Sequence, residues 1–178
     1  FYLDAQLAKD LTFSWGRNHS EVKYQTGSYK NFVPVMNKLS QYNSTYNSYA
    51  LAYDNKNAGW KAVLGYNTMD LSCLPLKGGS YSKYDGYNAN FDLQKKFNLK
   101  NNDSLIFGVN VNRESMETQT TVFNKAGRNS FSAYQSWDVH TSDAFELILG
   151  LREYYVGSNQ YYDSDFQLLP QVQGVYKA

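Results

Sequence analysis

A period of two runs through this chain almost from end to end, and it leaves little room for anything but β-strands. From Ala144 to Tyr155, Phe145, Leu147, Leu149 and Leu151 fall on one face, while Glu146, Ile148, Gly150 and Arg152 fall on the other. From Ser104 to Arg113, Leu105, Phe107, Val109 and Val111 alternate with Ile106, Gly108, Asn110 and Asn112. Trp60, Ala62, Leu64 and Tyr66 oppose Lys61, Val63, Gly65 and Asn67; Tyr87, Ala89, Phe91 and Leu93 oppose Asn88, Asn90, Asp92 and Gln94. The same rhythm covers Tyr49–Tyr53, Leu11–Trp15 and Leu3–Leu7. A helix cannot gather these sets on one side, because its side chains return to a face every ~3.6 residues. The pattern weakens over Ser130–Val139, where Gln135 shares the apolar face. It weakens again near the end, where Pro170, Val172, Gly174 and Tyr176 face one way. A proline lacks a ladder donor, so a bulge or irregularity is expected near Pro170.

The connections alternate as strictly as the side chains. Short polar turns fall at Ala8–Asp10, Asn57–Gly59, Lys100–Asp103 and His140–Asp143. Long links fall at roughly Lys23–Thr45, Leu71–Tyr84, Thr118–Asn129 and Gly157–Asp165. A barrel spanning an outer membrane keeps short turns on its periplasmic rim and long loops outside, which produces this alternation. A soluble meander has no reason to keep all its short turns on one edge. About nine strands result, several near the ~9–11 residues that cross a bilayer at a tilt. Single-chain bacterial barrels have even strand counts, so nine antiparallel, up-and-down strands predict part of a larger barrel. The chain begins at Phe1 with neither an initiator Met nor a signal peptide, which fits processing or a fragment.

Composition agrees where it bears on the choice. Tyr, Phe and Trp make up 17% of the chain, yet mean hydropathy is −0.60. Alternating strands average to a polar value, so this hydropathy excludes helical spans and says nothing against barrel strands. The polar face is rich in Gly, Asn, Ser and Gln rather than Lys and Glu. The apolar face carries no charge in the six clearest segments, as expected where a central Arg or Lys costs on the order of 2–4 kcal/mol. Trp15, Tyr53, Trp60, Tyr66, Trp137 and Tyr176 lie near strand ends, where an interfacial girdle would sit. A net charge of +1 gives no footprint for nucleic acid. One cysteine, Cys73, excludes an internal disulfide and any paired-cysteine zinc spacing.

The stretch from Ser130 to Ala178 resembles the barrel of TonB-dependent outer-membrane receptors. FSAYQSWDV, the turn HTSD, AFELILGLREYY and, after a loop, FQLLPQVQGVYKA follow one another as strands of that family do. Tyr134, Trp137, Leu149, Gly150, Leu151, Arg152, Pro170, Gly174, Tyr176 and Lys177 carry the likeness. LIFGVNVNRES (Leu105–Ser115), preceded by YNANFDLQKKFNL, extends it upstream. The first 85 residues fit only by their rhythm of strands and links. The resemblance implies a multi-pass protein of the bacterial cell outer membrane, surrounded by its lipid. It implies residues 1–178 as a partial barrel, with no plug domain in this stretch. It further implies active uptake of a small-molecule ligand such as a ferric siderophore, through a plug domain and an inner-membrane energy-coupling complex. A passive porin-like barrel is the nearest alternative, and a soluble β-rich glycan-binding module a more distant one.

No set of residues reads as catalytic, metal-binding or cofactor-binding. His19 and His140 belong to opposite edges on this topology. Met36, Met69, Met116 and Cys73 lie in or near long links and read as gap-filling side chains. Glu146 and Arg152 face the polar side, where a plug or another strand could pair with them. The binding candidates are aromatics of the outer links: Tyr29, Phe32, Tyr42, Tyr81, Tyr84, Tyr161 and Tyr162. Rigid amphipathic rings among small polar neighbours recognise ligands at low entropic cost.

Overall fold

A computed structural model describes residues 1–77, 81–119, 123–142, 144–159 and 163–176, with side chains 26–29, 34–38, 77 and 123 outside that description. Nine strands form one antiparallel sheet in chain order: β1 (Tyr2–Ala8), β2 (Leu11–Lys30), β3 (Val33–Asn55), β4 (Trp60–Lys77), β5 (Ser82–Asn98), β6 (Ser104–Gln119), β7 (Phe123–Ser142), β8 (Phe145–Val156) and β9 (Asp165–Tyr176). A 3-10 turn, Lys100–Asn102, joins β5 to β6. The sheet does not close, so β1 and β9 each keep one unpaired edge among the described residues.

Register turns the period-two pattern into two continuous surfaces. One cross-strand row reads Ala5, Phe13, Leu51, Leu64, Phe91, Val111, Phe131, Tyr155 and Phe166. The row one residue away, on the other face, reads Asp4, Ser14, Ala50, Gly65, Asn90, Asn112, Ser130, Val156 and Asp165. A slip of one residue at any ladder would exchange the faces. No second layer covers the apolar face: among the described residues no apolar side chain is buried, and Leu64 remains 54% exposed in the middle of its row. The accessible surface is 12413 Å² for 20.4 kDa. A compact soluble monomer of that mass exposes about 8,800 Å².

The apolar band has charged borders on its own face. Toward the long links, the first outward charges beyond the row through Leu64 are Arg17 on β2, Asp70 on β4, Asp85 on β5, Arg113 on β6 and Lys125 on β7. On β8 the boundary falls to the other side of that row, at Glu153, which pairs with Ala133. Tyr49, Tyr66 and Tyr87 line the same border as neighbours, with ring centroids 6.4 and 6.0 Å apart. At the short-turn border Lys95 also lies on the outward face, opposite Trp60 and Phe107. Its ammonium sits 4.9 Å from the Trp60 ring centroid and 5.5 Å from that of Phe97, and it donates to the Ala58 carbonyl. The apolar stem stays on the band while the charge reaches the rim. The charge-free segments of the sequence therefore end in charges once the strands are followed to their full length.

The four short turns stand where the sequence places them, except that β7 continues through His140 to Ser142. At the β3–β4 turn, Gly59 has φ +69°, and its carbonyl accepts the Lys96 N–H at 2.7 Å. A Cβ there would collide with the Lys96 carbonyl, so both conformation and space require glycine. The long links differ more. Lys23–Thr45 reads as a link but is mostly ladder, because β2 and β3 stay paired up to Lys30↔Val33. Alternation continues through Val22, Tyr24, Tyr42 and Tyr46, with no glycine or proline pair to stop it. Similarly β4 runs on to Lys77, β5 begins at Ser82, and β6 and β7 pair as far as Gln119↔Phe123. The strands of this half are thus longer than the bilayer requires. The irregularity expected at Pro170 is absent: β8–β9 register runs unbroken through Leu151↔Pro170. Strand β9 lies at the sheet edge, where a missing donor is tolerated.

Asn31 and Phe32 close the β2–β3 hairpin with φ 53° and 63°, the two positive values of a type I′ turn. Phe32 is 99% exposed, so no packing offsets a bulky side chain in left-handed backbone. Phe32→Gly is expected to stabilise the hairpin by about 1 kcal/mol, read as slower amide exchange at Lys30 and Val33. Unchanged or faster exchange would show that the turn is not of this type.

Candidate functional site

The pleat carries the polar face beyond the apolar band, and there it turns aromatic. Tyr42 of β3 pairs with Cys73, Tyr46 with Met69, and Tyr84 of β5 with Leu71. Tyr24 of β2 lies diagonally from Tyr42, opposite Ser40, and its hydroxyl shares a 3.1 Å hydrogen bond with the Cys73 sulfur. That bond, more than the loss of solvent around the ring, pushes the Tyr24 phenol above its ordinary pKa. Met69 and Met116 both pair with Gly86, and the Met69 methyl lies over it, 3.5 Å from where a Cβ would stand. Tyr24, Tyr42, Tyr46 and Tyr84 thereby share one face at this end of the sheet, interleaved with Leu71, Met69 and Cys73. It can stack on planar groups and donate hydrogen bonds to a polar ligand.

Of the sequence candidates, Tyr42 and Tyr84 belong to this surface. Both sit on strands rather than in loops. Tyr29 lies on β2 near the hairpin end, paired with Pro34, and its side chain is outside the described residues. Phe32 occupies the hairpin tip, remote from Tyr42, and exposed Tyr81 immediately precedes β5. Tyr161 and Tyr162 lie outside the described residues. Tyr24 and Tyr46 are not among the sequence candidates. The signal for them is the i, i+2 spacing of Tyr42, Ser44 and Tyr46, which continues the strand pattern through a stretch that reads as a link. Met69, Met116 and Cys73 share the polar face with these rings.

Lower on the same face, hydrogen bonds knit neighbouring strands. Asn88 donates to Asn112 at 2.8 Å, Asn112 to Glu114 at 3.0 Å, and Arg128 to Glu114 at 2.7 Å. Tyr134 of β7 crosses over Gly108 of β6 and donates to Asp92 of β5 at 3.2 Å. The Arg152 guanidinium lies 5.0 Å from the centre of the Tyr134 ring. Arg152 thus finds its partner on the adjacent strand. His19 shares a 2.9 Å hydrogen bond with Thr45 on the apolar side, above the band, at the opposite end of the sheet from His140.

One face exposed and apolar, the other polar and hydrogen-bonded, with short turns along a single rim, is the geometry of a membrane barrel wall. Solved structures supply the comparison. The alcaligin outer-membrane receptor FauA of Bordetella pertussis matches 99% of this chain with a TM-score of 0.66 at 15% identity. FpvA of P. aeruginosa bound to heterologous pyoverdines matches 99% at 0.64 and 14% identity. FpvAI in complex with pyocin S2 matches 99% at 0.61 and 11%. The chain has the fold of an outer-membrane receptor barrel. It spans about a third of each receptor, 32%, 32% and 33% of their lengths. No family model and no curated protein matches the sequence. The fold agrees with the family that the sequence resembles. In a wall of that kind the Tyr24–Tyr84 surface faces the lumen, beyond the membrane.

Proposed function

We propose that this chain is part of the barrel of a TonB-dependent receptor in a bacterial outer membrane, taking up a ferric siderophore. The observation that carries the reading is the single sheet whose apolar face has no protein cover among the described residues. Burying that face in hydrocarbon satisfies it, and closing the sheet with further strands satisfies its two edges. The comparison receptors are named for alcaligin and for iron-loaded pyoverdine, which supports an iron chelate as the ligand class. On this reading the tyrosine surface lines the outer vestibule, where ring faces and hydroxyls receive the chelate before an energised plug releases it.

The test uses the full-length gene product. Cells expressing it should accumulate radiolabelled iron from a ferric siderophore, and accumulation should stop when the proton gradient is collapsed or TonB is deleted. Tyr42→Ala with Tyr84→Ala should weaken siderophore binding about ten-fold, equivalent to ~1.4 kcal/mol. Uptake that continues without energy would replace the reading with a passive channel. A protein that is monodisperse in water without detergent would remove it from the membrane altogether.

A further inference from the structure

At the rim of short turns, on the polar face, three potential metal ligands converge from two strands. Asp138 and His140 are two residues apart on β7 and share a face. Glu146 of β8 stands directly opposite His140 across the β7–β8 hairpin. One ligand atom from each of the three lies within 4.8 Å of the others. The imidazole Nε2 is 3.7 Å from Glu146 Oε2, and Nδ1 is 4.0 Å from Asp138 Oδ1. A further carboxylate, Asp103 of the β5–β6 turn, accepts the His140 backbone N–H at 2.8 Å and lies 3.9 Å from Nδ1.

Three carboxyl groups surround one imidazole, and Asp138 and Glu146 are themselves joined by a side-chain hydrogen bond. A second observation points to a ligand. Asp138 Oδ1 and His140 Nδ1 are shut off from solvent and have no hydrogen-bond partner. Buried polar atoms without partners are rare in native proteins, and an unfilled ion site is one physical reason for them. We infer that Asp138, His140 and Glu146 bind a divalent zinc-class cation at the short-turn rim of the lumen.

The chemistry suits such an ion. One imidazole and two carboxylates are borderline ligands of the kind zinc takes, at ~2.0–2.2 Å, with a fourth position left for water or Asp103. Tetrahedral coordination at those lengths sets ligands about 3.4 Å apart. The set therefore contracts by rotation of side chains, with no movement of the ladder. His140 lies at the bulge between His140 and Ser142, which lets its ring turn independently of the strand that follows. A bound ion would tie β7, β8 and the β5–β6 turn together, adding a clamp at the end of the barrel where the turns are short.

The test takes the full-length protein, free of any histidine tag, stripped with chelator in detergent and titrated calorimetrically with Zn²⁺ alone. One equivalent should bind. Co²⁺ in its place should give the visible absorption of a low-coordinate nitrogen–oxygen site. His140→Ala, His140→Asn and Glu146→Gln should each weaken binding at least ~ten-fold, while His19→Ala leaves it unchanged. Heat-modifiable mobility on gels shows that each barrel has folded, and the asparagine variant keeps a polar side chain at the position if alanine disturbs assembly. Wild-type affinity in the His140→Asn protein, or no stoichiometric Zn²⁺ in the unmutated one, would overturn the inference.

Discussion

Leu64→Arg is expected to cost the folded protein about 2–4 kcal/mol, whereas Asn67→Arg, farther along the same strand, should change stability by no more than ~0.5 kcal/mol. In a soluble protein the ranking would have no such basis, since both side chains are exposed. Leu64 sits between Leu51 and Phe91 in the centre of the apolar row, and Asn67 points to the polar face between Ser48 and Asn88. The difference comes from the solvent each face meets. Arginine at the bilayer midplane must drag water into hydrocarbon or bend away over several residues. Arginine toward the lumen keeps its hydration. Lys95 shows the limit of that penalty, because its place beside the rim lets the ammonium reach the Ala58 carbonyl and two ring faces. The measurement is denaturant unfolding of the full-length protein refolded into phospholipid vesicles, together with the fraction of each variant that reaches the outer membrane. Equal losses for the two substitutions would mean that the apolar face does not contact lipid.

How far the sequence discloses this structure depends on what sets each feature. The faces are legible because period-two alternation is a local property, and Leu105, Phe107, Val109 and Val111 need no knowledge of their neighbours to declare a side. Short turns are legible for the same reason. Strand ends on the far side are not. Between Lys23 and Thr45 most residues are polar on both faces, so composition reads as loop while the ladder from Lys23↔Gln41 to Thr26↔Lys38 holds the extended form. Cross-strand pairing is non-local, and it overrides weak propensity. The candidate site inherits that blind spot. Tyr42 and Tyr84 read as loop aromatics, whereas the ladder places both on strands. Tyr24 and Tyr46 join them only once register is known. Asp138, His140 and Glu146 stay apart in the sequence because His140 reads as part of a turn. Continuing β7 through it puts the ring opposite Glu146.

Gly108→Ala tests the polar face as the first substitution tests the apolar one. A strand glycine would normally gain from a methyl group, since alanine loses less backbone freedom on folding. Here the new Cβ would occupy the space of the Tyr134 ring itself. The ring must lift, and with it go the hydrogen bond to Asp92 at 3.2 Å and the contact with Arg152 at 5.0 Å. The expected cost is about 1–3 kcal/mol, the range for forcing volume into a filled site. The sign should reverse in a Tyr134→Ala background, where the space is vacant and only the backbone contribution remains. A double-mutant cycle then gives a coupling between Gly108 and Tyr134 of at least ~1 kcal/mol. Additive effects would show that the ring does not rest on the glycine. Coupling of the expected size would mean that β5, β6, β7 and β8 are bound across the lumen face by one side chain and its partners. That tie does not depend on lipid, so it should persist when the barrel is moved from vesicles into detergent, while the penalty at Leu64 shrinks as the ordered bilayer is lost.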